Sequence, residues 1–230
     1  MPEPSIEIGE LDGPLGQRVY TTLRRAILDM SLKPGEILRK GALCDQLGVS
    51  RSPVAEALGR LSSDGLVDII PQSATRVSQL SMVELLEESF LREAVEVAAI
   101  EMVARNRTDD QMTRLTRNLR LQGLLVEDED MAGFFEADLE FHQIILGATG
   151  FPKVTQVTEE MTLQLLRARK LMLPEPDRPA QTVEEHKAIH KALADQDVEA
   201  ARRAMVTHLR QLIRRIKPLE RQHPEFFRST

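Results

Sequence analysis

Asp138 and His142 lie four residues apart in the apolar run DLEFHQIIL. On a helix, residues three, four and seven apart share a face. Phe134, Asp138, Phe141, His142 and Ile145 therefore line one side, while Glu136, Glu140 and Gln143 fall on the other. The acid and the imidazole point inward, where an unpaired charge is costly. They need hydrogen bonds, a salt bridge or a metal ion. Two later segments repeat the pattern: His186 lies with Val183, Ile189 and Leu193, and His208 lies beside the Ala201, Met205, Leu212 stripe. His190, one turn after His186, also faces partly inward. A lone inward histidine is ordinarily a hydrogen-bonded core residue. Several of them with an aspartate, sent from three helices toward one core, favour a metal. Neutral imidazoles and one carboxylate suit a divalent transition metal, with zinc the first choice and nickel, manganese, cobalt or iron as alternatives. Four protein ligands can leave positions open for water or an acid.

Holding such a cluster requires long helices, and the composition allows them. With 230 residues, 42% hydrophobic and 29% charged, the chain is long enough for one large domain or two modest ones. Few glycines and few aromatic residues lean toward a mainly α fold. The net charge of −6 gives no global sign of nucleic-acid binding, so such a function needs a local patch. A single cysteine, Cys44, cannot form an internal disulfide, which suits the cytoplasm. The first thirty residues carry no apolar core region, so no signal peptide is expected, and no run approaches a membrane span.

The pattern changes near residues 79–82. Beyond it, amphipathic segments predict an all-α bundle with helices near 82–104, 109–127, 131–147, 153–173, 182–194 and 198–217. The acidic run EDED at 127–130 reads as a solvated loop and 218–230 as a tail. Before the change, Leu15, Val19, Leu23, Ala26, Ile27 and Met30 form a helical stripe ended by the Pro34-Gly35 turn. Leu43 and Leu47 then bury a short helix. Gly48 ends it, and Ser52-Pro53 opens the next with an N-cap and a first-turn proline. Two short helices across a tight turn predict a helix-turn-helix over 12–79, followed by a hairpin, Leu66–Ile70 and Thr75–Ser78, that makes it winged. Its second helix would read DNA, with Arg51, Ser52 and Val54 at base edges and Arg60 near a phosphate.

The stretch PGEILRKGALCDQLGVSRSPVAEALGRLSSDGLV resembles the DNA-binding domain of GntR-type bacterial transcription regulators. The helical remainder, with DLEFH, EEHKAI and HL, resembles the FCD-type ligand domain of their FadR-like branch. The resemblance implies a homodimer on a pseudo-palindromic operator in double-stranded DNA, rearranged by a small organic acid. It also implies Asp138, His142, His186 and His208 as metal ligands, selecting His186 over His190. Arg39, Lys40 and Arg76 join the expected DNA contacts, and Arg92 matches a basic position suited to the effector's carboxylate. An intrahelical pair with Glu96 is the alternative for Arg92. The family usually carries Arg where this chain has Gly41 and Ala55, and Gly where it has Ala74.

These features predict a non-enzymatic regulator, most simply a repressor, responsive to an organic acid. The alternatives are a metal-responsive regulator and a metal-dependent hydrolase. The hydrolase lacks a separate general base or nucleophile motif.

Overall fold

The computed structural model describes residues 12–171 and 177–228. They form two compact units, one reaching Met82 and including Leu219 onward, the other spanning Val83–Pro218. The chain is mainly helical, with one two-stranded sheet among the described residues.

In the first unit, α1 (Leu15–Leu28) buries Val19, Leu23, Ala26 and Ile27 at the expected helical spacing. It packs on α3 (Arg51–Ser63), which buries Val54, Ala57, Leu58 and Leu61. Between them α2 (Lys40–Leu47) ends at Gly48, whose φ of 64° and ψ of 34° are left-handed. The next helix starts earlier than expected: Ser50 occupies the N-cap position, so Ser52 lies inside the first turn with Pro53. Strands β1 (Val67–Ile69) and β2 (Thr75–Val77) pair antiparallel, with Asp68 opposite Arg76, and complete the wing.

The end of the chain contributes to this unit as well. The Leu80 N–H donates to the Phe226 carbonyl (2.9 Å), and the Arg228 N–H donates to the Leu80 carbonyl (2.8 Å). Phe227 between them is buried. Of the residues expected as a tail, 218–222 continue the last helix and 225–228 are hydrogen-bonded to residues 79–80 of the first unit, while 229–230 lie outside the described residues.

The second unit contains α4 (Met82–Asn106) from Val83 on, α5 (Asp109–Glu127), α6 (Met131–Gly147), α7 (Pro152–Glu160), α8 (Leu163–Leu171), α9 (Arg178–Ala194) and α10 (Val198–Gln222) as far as Pro218. Ile100, Leu115, Phe141, Ile145, Ile189 and Met205 meet in its core. Each such burial contributes on the order of 1.5–3 kcal/mol. A capping box between Thr108 and Gln111 starts α5, and Asp130, from the acidic run, caps α6 through the Gly133 N–H (2.8 Å).

Three helix boundaries differ from expectation. The helix expected over 153–173 breaks at Met161-Thr162, and its last two residues lie outside the described residues. The ninth helix starts at Arg178 and accommodates Pro179 in its first turn, where no N–H is needed. The tenth continues past Pro218 to Gln222.

Candidate functional site

The reader helix α3 divides its residues by face. Arg51, Ser52 and Ala55 are exposed, as are Arg39 and Lys40 at the start of α2. Two of the expected contact residues face the protein itself. Val54 is 0% exposed in the core, so it cannot approach a base edge. The Arg60 guanidinium faces α1, where Nη1 donates to Gln17 Oε1 (2.5 Å) and Cζ lies 4.0 Å from the centre of the Tyr20 ring. It braces α1 against α3. Arg76 remains partly exposed, with Nε 3.6 Å from Asp68 Oδ2.

In the second unit, Asp138 and His142 from α6, His186 from α9 and His208 from α10 converge. One potential ligand atom from each lies within 4.8 Å of all the others, and all four residues are buried. His208 Nε2 is 3.1 Å from His142 Nε2 and 3.4 Å from His186 Nε2. His186 Nε2 is 3.6 Å from Asp138 Oδ1. Phe141 stacks on the His186 ring with centroids 4.0 Å apart.

The opposite ring nitrogens fix the tautomers. His142 Nδ1 is 2.5 Å from Glu96 Oε2, and His208 Nδ1 is 2.7 Å from Glu185 Oε2. Burial opposes ionisation of both acids. For Glu96 the Arg92 charge and the hydrogen bonds from His142 and Arg92 outweigh it, and for Glu185 the hydrogen bonds from His208 and Arg178 do so, leaving it at about 2. Both carboxylates accept, so both Nδ1 atoms carry protons. His186 Nδ1 is 2.9 Å from Gln122 Oε1, and Gln122 Nε2 donates to Asn118 Oδ1 (2.7 Å). Asn118 Nδ2 donates in turn to the Ala137 carbonyl (3.0 Å) and Glu140 (2.8 Å). That sequence of donors makes Gln122 Oε1 the acceptor and His186 Nδ1 the donor.

All three Nε2 atoms therefore present lone pairs to one another. A protonated ring could relieve the repulsion, but burial holds all three histidines below their ordinary range, His208 at about 3. A cation satisfies all of these groups together. Imidazoles oriented by carboxylate and amide partners are the arrangement that metal sites use. The donor set fits a divalent transition metal.

Beside the cluster, a cavity is lined by Arg92, Arg169, Arg178, Asp138, Phe134 and Leu212, among others. Arg92 Nε donates to Glu96 Oε1 (2.6 Å), so the expected alternative pair forms while the side chain also borders the cavity. Arg178 makes a two-pronged contact with Glu185 (2.7 and 3.0 Å), and Arg169 forms an ion pair with Asp138.

Residues 88–211 match the FCD domain, and residues 15–77 match the bacterial regulatory proteins of the gntR family. The chain belongs to the GntR family. This GntR regulator is 35% identical over 209 residues to an HTH-type transcriptional regulator in an unstable DNA locus of Streptomyces ambofaciens, covering 91% of this chain and 88% of the relative. It is 29% identical over 214 residues to the HTH-type transcriptional repressor RspR of Escherichia coli K12, covering 93% and 94%. A solved GntR regulator from Rhodococcus sp. RHA1 superposes with a TM-score of 0.75 at 25% identity, covering 88% and 97%. Escherichia coli McbR/YncC shares the fold, with a TM-score of 0.76 at 23% identity, covering 90% and 99%. The GntR helix-turn-helix marks the first unit as the DNA-binding part. No described helix is long and apolar enough to cross a membrane.

In this GntR regulator His190 turns toward α5, where Nε2 lies 2.9 Å from Thr116 Oγ1, outside the cluster. Sequence reasoning missed Gln122, Glu185, Arg169 and Arg178. Glu185 follows helical logic only in retrospect: it adjoins His186 but serves His208 on another helix. The i,i+4 placement of Glu96 after Arg92 was visible, but its second bond to His142 was not.

Proposed function

We propose that this GntR regulator acts as a homodimeric repressor on a pseudo-palindromic operator, controlled by a small organic acid beside a divalent metal. Asp138, His142, His186 and His208 would hold the ion, and zinc suits the donor set best. The observation that carries this reading is the set of three Nε2 lone pairs within 3.4 Å of a neighbour, with every Nδ1 already committed. When bound, the metal supplies a Lewis-acidic positive centre for a carboxylate. Arg92 borders the same cavity and offers the acid a second anchor. Glu96, Gln122 and Glu185 hold the three rings in register. On DNA, Arg51 and Ser52 would reach base edges while Arg39, Lys40 and Arg76 meet the backbone. A dimer would place two such helices on two half-sites.

Elemental analysis of protein purified without a metal-affinity tag should find close to one divalent ion per chain, most of it lost in His208→Ala. If chelation and that substitution leave both metal content and thermal stability unchanged, the histidines are core residues. On an operator selected from random duplexes, Arg51→Ala should weaken binding by roughly 1–3 kcal/mol without changing the melting temperature. Equal affinity in a salt-matched titration would remove Arg51 from the interface.

A further inference from the structure

Three arginines of the cavity are each tied to the cluster through a carboxylate. Arg92 holds Glu96, which holds His142; Arg178 holds Glu185, which holds His208; Arg169 holds Asp138 directly. All three arginines line one cavity, and their side chains are 9%, 14% and 14% exposed for Arg92, Arg169 and Arg178. In these pairs three carboxylates face three guanidiniums one to one. A divalent ion on the cluster would leave two positive charges uncompensated beside arginines that are themselves largely buried. In such surroundings unbalanced charge is costly and a matching counter-charge is strongly favoured.

Resting on the metal reading above, we infer that the metal-loaded cavity selects small dianionic acids over monoanions, with Arg169 as the residue that sets the preference. One carboxylate meets the metal and the other meets the arginines. Arg169 is the one of the three whose carboxylate partner is itself a potential metal ligand. A metal held by Asp138 would compete with Arg169 for that carboxylate and leave the guanidinium, which already lines the cavity, with donors for an acid. Arg178 is held by both nitrogens on Glu185, whereas Arg92 engages Glu96 through Nε and keeps donor capacity at its Nη nitrogens. A guanidinium fork matches a planar carboxylate better than an ammonium does.

The test is calorimetric titration of the full-length protein, with metal content measured on the same sample. Each dianion is compared with the monoanion of equal carbon number: malonate with propionate, succinate with butyrate, glutarate with valerate. With one metal per chain, at least one dianion should bind tenfold or more tightly than its partner. Stripping the metal should collapse that gap. Arg169→Gln should narrow it severalfold while keeping the metal, and Arg169→Lys should recover only part of it. If Arg169→Gln does not fold, the metal-dependent collapse of the gap in the unmodified protein still decides. Metal present with every pair bound alike, or with neither acid of any pair bound, overturns the dianion inference and leaves the metal reading intact. Absence of metal from the unmodified protein overturns the metal reading itself.

Discussion

Glu88, half-buried on α4, reaches across to the start of α8 and accepts the backbone N–H groups of Gln164 (3.3 Å) and Leu165 (2.8 Å). Those are two of the donors that a helix start leaves unpaired. Burial pushes the carboxyl up to about 7, with the two N–H bonds opposing. The folded protein then holds the Glu88 proton more tightly than the unfolded chain does. Stability is therefore lost as pH rises from the ordinary range near 4.5 through 7. The slope is at most about 1.4 kcal/mol per pH unit, and less for a partly exposed group. Melting curves between pH 5 and 7.5 should fall more steeply for the native protein than for Glu88→Gln. Parallel curves would mean that Glu88 titrates normally. At this scale the sequence disclosed Asp138 and His142 because their four-residue spacing forces them onto one apolar face. It did not disclose Gln122 or Glu185, whose roles depend on which oxygen meets which Nδ1 across helices.

Glycine has opposite roles at the two ends of α2. Gly48 closes the helix in the left-handed region, with open space around a Cβ, so Gly48→Ala incurs backbone strain alone, about 1–2 kcal/mol. Gly41 lies inside the helix, also with open space, so Gly41→Ala should stabilise by about 0.5 kcal/mol. Denaturant midpoints of both variants check the pair, and a shift of the same sign in each would show that α2 is not formed as described. Turn glycines and apolar stripes made these elements readable from sequence. The break between α7 and α8 was not readable, because it is held partly by Glu88, far away along the chain. Local hydroxyl bonds also contribute there: Thr158 to the Val154 carbonyl and Thr162 to the Thr158 carbonyl, each 2.7 Å.

At the scale of the molecule, the winged unit is built from both ends of the chain, because residues from Leu219 onward join those before Val83. Nothing in the sequence announced this. Residues 218–230 carry little periodicity, and the return is made by backbone bonds at Leu80 and one aromatic ring. Phe227 is 4% exposed, so Phe227→Ala should cost about 3–5 kcal/mol in the first unit. Operator affinity should fall with it, while metal content stays at the native level. Loss of metal instead would place the ring's influence in the second unit. The same closure sets an order of events on the ribosome. Helices α1 to α3 and the wing emerge early, yet the unit they belong to lacks its closing piece until residues 219–228 have been made. A chain ending at Pro218 would thus carry its cluster of histidines complete and leave its DNA-reading half open at a seam.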